Sequence, residues 1–319
     1  MFLYIVYIFI GFYLLIKGAD FLVDGASNLA QKFYIPTIII GLTIVAIGTS
    51  MPELMVSSTA SIEGHSDMSI GNVVGSNIAN LFFILGICSI IKPLKFQKTT
   101  EIFENFITIF ATFLLLFFGN NTRTNIITRL DGLILLSCSI CFILYNIYMA
   151  KKKASALVEL QKHNGQKINI FKCILSILLG IFALKVGGDI VVKYSSKIAY
   201  ILGISEKIIS ITIVAFATSL PELLTSINAT LKGETDMAIG NIIGSQIFNI
   251  FFIIGVSSVL CPIKYSTHYN FDIALLLAGA ILFSIFPFIG KKHFMTRFNG
   301  IIFISIYILY LLYSINLAI

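Results

Sequence analysis

The chain contains a long stretch of itself twice. Residues 43–95, reading TIVAIGTSMPELMVSS…GNVVGSNIANLFFILG, return at 212–264 as TIVAFATSLPELLTSI…GNIIGSQIFNIFFIIG. The register is constant and ungapped: Glu53 and Glu222 are 169 residues apart, as are Asn80 and Asn249. About half of the aligned positions are identical, and the offset reaches upstream to pair Gly11 with Gly180, Asp20 with Asp189 and Ala30 with Ala199. Such self-similarity marks a duplication, so any fold proposed for one half must also serve the other.

The solvent of that fold is lipid. Of 319 residues, 57% are hydrophobic and 12% charged, with a mean hydropathy of +0.96; a soluble domain carries about 25% charged residues. Ten apolar segments are each long enough to span a hydrocarbon core: 2–30, 35–62, 69–91, 102–119, 130–149, 170–198, 206–231, 238–260, 271–290 and 298–318. The first lacks the basic start and the cleavage site of a signal peptide and reads as a retained helix. Each copy of the repeat holds five segments. An odd number makes the second copy enter from the opposite face, so the expected fold is an all-α membrane protein with ten transmembrane helices in two inverted five-helix repeats. The expected domains are 1–150 and 170–319, joined by a hydrophilic link at 151–169.

Basic residues alternate between loops. With the N-terminus outside, fourteen fall on the cytoplasmic side, among them Lys92, Lys95, Lys98, Lys151, Lys152 and Lys153, against four on the other face: Arg123, Arg129, Lys207 and Lys264. Positive charge stays in the cytoplasm. The net charge of +7 is therefore a topology signal rather than a nucleic-acid one. It puts both termini outside a cell membrane and the 151–169 loop in the cytoplasm. Cys88, Cys138, Cys141, Cys173 and Cys261 lie in or beside apolar segments; Cys138 and Cys141, three apart on one helix, are too little for a zinc site by themselves, and all five read as small apolar filler.

Duplicated polar residues carry the chemistry. Glu53 and Glu222 sit inside apolar segments, where a charge costs roughly 3 kcal/mol or more and normally faces a cavity. No duplicated basic residue accompanies them, so they call for a cation. Thr49, Ser50, Thr218 and Ser219 lie three or four positions earlier, on the same helical face. Hydroxyls and carboxylates are hard oxygen ligands of the kind calcium takes in sets of six to eight. Pro52 and Pro221 remove helical hydrogen bonds, opening the turns at Ala46–Gly48 and Ala215–Ala217 so that carbonyls can reach an ion. Glycines four apart, Gly71/Gly75 and Gly240/Gly244, allow close helix approach and bring Ser76, Asn80, Ser245 and Asn249 towards the glutamates. Asn72, Asn77 and Asn241 read equally as ligands or as partners of backbone groups, and Asp67 and Asp236 as helix caps.

GTSMPE with GNVVGSNIAN, and ATSLPE with GNIIGSQIFN, closely resemble the two α-repeats of the sodium/calcium exchangers in the cation/calcium exchanger superfamily, over essentially the whole chain. The resemblance implies that Glu53 and Glu222 bind calcium and also sodium. Thr49, Ser50, Thr218, Ser219, Ser76, Ser245, Asn80 and Asn249, with the carbonyls of Ala46 and Ala215, would complete the sites. It also implies that the first and sixth helices slide across the rest during alternating access. In the family so resembled, potassium-dependent members and some prokaryotic ones carry Asp at the position of Asn249; here both copies are Asn, leaving a formal charge of −2 from the glutamates alone.

The expected function is thus sodium-for-calcium antiport without potassium, the ions being cargo rather than cofactors. The expected partners are those ions and the lipid bilayer, with no nucleic acid and no obligate protein partner. A proton/calcium antiporter or a cation channel are the alternatives. An intramembrane enzyme is disfavoured, because His65, His163, His268 and His293 all lie in or beside loops and no HExxH occurs.

Overall fold

The computed structural model describes residues 2–95, 100–120, 125–160, 168–201, 218–286 and 294–318. The helices are α1 (Phe2–Phe33), α2 (Thr37–Thr49), α3 (Met51–Ile62), α4 (Ser66–Ile91), α5 (Thr100–Asn120), α6 (Arg129–Leu160), α7 (Ile170–Ile201), α8 (Leu220–Leu231), α9 (Thr235–Leu260), α10 (Tyr269–Ile285) and α11 (Arg297–Ala318). Among the described residues seven helices are long and apolar enough to cross a membrane, or eight if α2 and α3 count as one span. Those two meet at 49°, because Pro52 has no N–H and its ring crowds the preceding turn; Ser50 at the break has φ −87° and ψ 11°. The expected segment 206–231 is described only from residue 218. The helix expected over 130–149 instead runs on to Leu160, since the Lys-, Ala- and Leu-rich run after Met149 favours helix beyond the hydrocarbon.

Among the described residues three helices contain a wide π turn: Gly41–Val45 in α2, Ala79–Ile84 in α4 and Asn249–Ile254 in α9. The last two include Asn80 and Asn249, which are repeat partners. A π turn inserts an extra residue per turn and is often found where side chains must be re-aimed at a functional site.

The chain divides into two compact units. The first is Met1–Pro52 with Phe142–Asn241, the second Glu53–Cys141 with Ile242–Ile319. Each therefore draws on both sequence halves, and the division falls inside α3, α6 and α9.

In the first unit α1 and α7 pack antiparallel along glycines seven residues apart. A Cβ on Gly18 would meet the carbonyl oxygen of Gly180 at 2.9 Å, and one on Gly180 the amide of Leu22 at 2.6 Å. Close backbone approach through small residues is how helices associate in lipid, where burial of apolar surface drives nothing. At one end of the pair Tyr7 stacks on Tyr194 with ring centroids 4.4 Å apart. Further along α1, Asp20 and Asp24 pair with Lys232 at 3.1 and 2.7 Å, and Asn228 donates to Asp20 at 2.8 Å. Burial alone would lower the Lys232 ammonium, but its hydrogen bonds to Asp24 and Asp20 and their charges raise it above its usual value. The first unit also brings Gly41 of α2 against Gly240 of α9, where a Cβ on either would strike backbone within 2.5 Å.

In the second unit two short antiparallel strand pairs tie loops together. They are β1 (Leu94–Lys95) with β4 (Phe294–Met295), and β2 (Ile126–Ile127) with β3 (Ile263–Lys264). A shift of 169 residues turns β1 into β3 and a shift of 168 turns β2 into β4, so the two pairings exchange. The glycine crossings behave alike: Gly86 of α4 meets Gly300 of α11, while Gly255, its repeat partner, meets Gly132 of α6.

The α1–α7 contact makes a sharp prediction. A Cβ on Gly187 would lie 2.8 Å from the Gly11 carbonyl oxygen and 2.9 Å from the Leu15 amide, whereas one on Gly188 meets nothing within 4 Å. Gly187→Ala should cost about 1–3 kcal/mol and lower the melting midpoint in detergent by several degrees, while Gly188→Ala leaves it unchanged. Equal midpoints for the two variants would contradict this packing.

Candidate functional site

Each unit holds one of the two duplicated glutamates, fully buried. In the first it is Glu222, in the opening turn of α8 directly after Pro221, with no exposed surface. Proline is at home in a first helical turn, where its missing N–H leaves no bond unmade. The Ser50 hydroxyl, at the α2–α3 break, donates to Glu222 Oε1 at 2.9 Å. Glu222 Oε2 is buried without a hydrogen-bond partner among the described residues. Thr49 donates to Asn241 Oδ1 at 3.2 Å and to the Ala46 carbonyl at 3.3 Å, and Asn241 Nδ2 donates to Ser226 Oγ at 2.9 Å. Thr218 and Ser219 lead into α8 and are buried as well. Ala215 lies outside the described residues.

In the second unit it is Glu53, on α3, likewise with no exposed surface. The Ser76 hydroxyl of α4 donates to its Oε1 at 3.3 Å. Asn72 Nδ2 donates to the Glu53 backbone carbonyl at 3.3 Å and to Ser57 Oγ at 2.9 Å. Asn249 Nδ2 donates to Ser76 Oγ at 3.4 Å and to Asn77 Oδ1 at 3.0 Å. Several oxygens are left over. Asn249 Oδ1, Asn80 Oδ1 and Ser245 Oγ are buried with no partner among the described residues.

Buried polar atoms are nearly always paired, because an unmet one costs about 1–3 kcal/mol. Orphaned oxygens in a unit that also buries a carboxylate are hard ligands of the kind a cation can satisfy. Among the described residues no three His, Cys, Asp or Glu side chains gather; the acids come singly, each among neutral hydroxyl and amide oxygens. That donor chemistry suits calcium and sodium and not a soft transition metal.

The residues expected from sequence divide between the units. Thr49, Ser50, Thr218, Ser219, Glu222 and the Ala46 carbonyl fall in the first; Glu53, Ser76, Asn80, Ser245 and Asn249 fall in the second. The Ala46 carbonyl is not stripped of partners: it accepts the Ser50 amide at 3.0 Å and the Thr49 hydroxyl at 3.3 Å. Asn72 behaves as a backbone partner. Ser57 and Ser226, which Asn72 and Asn241 hold in the two units, escaped sequence reading, although both recur at the 169-residue offset and lie one turn past the glutamates.

Comparison with known proteins gives a consistent picture. The profile of the family described as sodium/calcium exchanger protein matches residues 3–148 and 172–316. CaxA of Alkalimonas amylolytica, which bears the name of a candidate antiporter, is 34% identical over 97% of this chain and 98% of its own. The sodium/calcium exchanger MaX1 of Methanosarcina acetivorans is 31% identical over 95% of both chains. Among solved structures, the sodium-calcium exchanger NCX_Mj superimposes with a TM-score of 0.82 at 31% identity, covering 98% of this chain and 99% of its own. With the profile matching both halves and relatives aligned end to end, this multi-pass membrane chain belongs to the sodium/calcium exchanger family.

Proposed function

We propose that the chain is a secondary antiporter that exchanges Na⁺ for Ca²⁺ by alternating access and needs no potassium. The observation that carries this reading is the pair of duplicated glutamates, each buried at 0% exposure within a shell of hydroxyl and amide oxygens. The names of MaX1 and of the solved exchanger, both sodium/calcium exchangers, point the same way. Ion binding would involve Glu53, Glu222, Thr49, Thr218, Ser50, Ser219, Ser76, Ser245, Asn80 and Asn249, with the carbonyls of Ala46 and Ala215.

Obligatory exchange follows from charge. Two ionised glutamates with no cargo leave −2 in a low-dielectric interior, which resists any movement that would carry it across. One Ca²⁺ cancels that charge, and so does a set of Na⁺ ions. Loaded forms can then change access while the empty form cannot, and one cation species leaves only if the other takes its place. The hydroxyl and amide oxygens replace lost hydration without adding charge.

The architecture we infer is ten transmembrane helices in two inverted five-helix repeats, 1–150 and 170–319, joined by 151–169, with both termini outside the cell membrane. The strand pairs and glycine crossings that exchange under offsets of 168 and 169 residues support a two-fold relation between the halves. The α1–α7 glycine contact supports motion of these two helices as one body.

Three measurements test the proposal. In proteoliposomes, calcium uptake driven by an outward sodium gradient should occur without a pH gradient, and Glu53→Gln or Glu222→Gln should abolish it while the protein still folds. Near-normal uptake by either variant removes that glutamate from the site. Cysteines placed beside His65 and Glu234 should label from opposite sides of the membrane; labelling from one side rules out inversion. Uptake in choline medium should be the same with and without K⁺, and Asn249→Asp should bring in a potassium or pH effect, because a third carboxylate must recruit another cation or a proton. A strict potassium requirement in the unmodified chain would overturn potassium independence.

A further inference from the structure

The second unit contains a directed chain of hydrogen bonds whose outcome is the orientation of one amide. Asn77, on α4 and 1% exposed, donates through Nδ2 to the backbone carbonyl of Gln246 at 3.3 Å. A carbonyl oxygen can only accept. The Asn77 amide must therefore turn its Nδ2 to Gln246 and its Oδ1 the other way, where it accepts from Asn249 Nδ2 at 3.0 Å. A second constraint reaches Asn249 from the opposite direction. Ser76 spends its single hydroxyl proton on Glu53 Oε1 at 3.3 Å, so towards Asn249 it can only accept, and it does so at 3.4 Å. Both neighbours thus demand the NH₂ side of Asn249. What remains is its Oδ1, wholly buried and without a partner among the described residues.

We propose that Asn77 is a positioning residue that locks Asn249 with its oxygen, never its NH₂, presented to the transported cation. An unlocked amide can rotate by half a turn at little cost in shape, and would then aim two N–H groups at a cation. The lock removes that state before the ion arrives, which is preorganisation of a ligand that touches the ion by a residue that does not. The arrangement is one-sided. The repeat partner of Asn77 is Gln246, whose Nε2 donates to the Ile242 carbonyl of its own helix at 3.5 Å. The repeat partner of Asn249 is Asn80, neither of whose amide atoms has a partner among the described residues. One amide is held as a fixed oxygen donor while the other is left to adapt, so the two halves of the duplicated motif do different work.

The inference rests on the exchanger reading for the identity of the cation, but its test is independent of sodium. Equilibrium calcium binding to the purified chain is measured at about pH 8 for Asn77→Leu in two backgrounds. In the native background the near-isosteric Leu frees Asn249, and half-saturation should rise about tenfold. In the Asn249→Asp background there is no amide to misorient, since a carboxylate offers oxygen either way round, and the same substitution should change half-saturation by less than about twofold. Equal losses in both backgrounds would mean that Asn77 supports the helix packing and nothing more, and no loss in the native background would mean that Asn249 needs no lock; either result overturns the proposal. If Asn77→Leu does not fold, Asn77→Thr, which keeps an acceptor for Asn249 but can rotate, is put through the same two-background comparison, with a smaller loss expected in the native background alone. Failure of sodium to displace calcium from the unmodified chain would instead refute the exchange reading and leave the coupling between positions 77 and 249 measurable.

Discussion

A carboxylate buried in a membrane protein has few ways to exist. Hydrocarbon offers it nothing, so the protein must surround it with donors, neutralise it with a partner cation or leave room for a cation to come and go. Glu53 and Glu222 each receive a hydroxyl hydrogen bond on one oxygen, from Ser76 and Ser50. Near them stand amide and hydroxyl oxygens whose hydrogen-bonding capacity is incompletely used. A cation that is carried rather than kept suits this arrangement: it stabilises the closed, loaded interior, and its departure restores a cost of several kcal/mol that only another cation relieves. The broken helix at Ser50, the π turns at Asn80 and Asn249 and the proline-led start of α8 all bring oxygen to helices that would otherwise be sealed.

The glutamate clusters also explain why the duplicated halves are not independent bodies. Ser50 comes from the first half of the sequence and donates to Glu222 of the second. Asn249 comes from the second half and donates to Ser76, which in turn holds Glu53, both of the first. Each compact unit is thus assembled from pieces of both copies. A half expressed alone would bury a glutamate without the hydroxyl or amide that its cluster takes from the other half. The contacts Asn72–Ser57 and Asn241–Ser226, by contrast, stay within one half each and recur in both.

Much of this was legible in the sequence because the signals are of a kind that hydrocarbon enforces. Apolar length located most of the helices, and an exact 169-residue offset picked out the paired polar residues, such as Glu53/Glu222 and Asn80/Asn249, that the structure buries. What could not be read was finer. Helical periodicity puts Asn80 and Asn249 on a face, but a π turn shifts that face by a residue and leaves no mark in composition. The extension of α6 to Leu160 lay hidden because charge predicts leaving the membrane, not leaving the helix. The role of Asn77 depends on which of two atoms faces a carbonyl, and so on tertiary contact between α4 and α9. Its repeat partner is Gln246, so even the duplication was silent there.

The proposal that matters most is that calcium binding and its exchange for sodium require both Glu53 and Glu222. Equilibrium titration of calcium binding to the purified chain, repeated at increasing sodium, tests it most directly. The account predicts one Ca²⁺ bound per chain, lost entirely in either Glu→Gln variant and displaced by sodium with a Hill coefficient above one, since a set of Na⁺ ions must replace a single divalent ion. Two independent calcium ions per chain, one surviving the loss of either glutamate, or calcium binding indifferent to sodium, would contradict it.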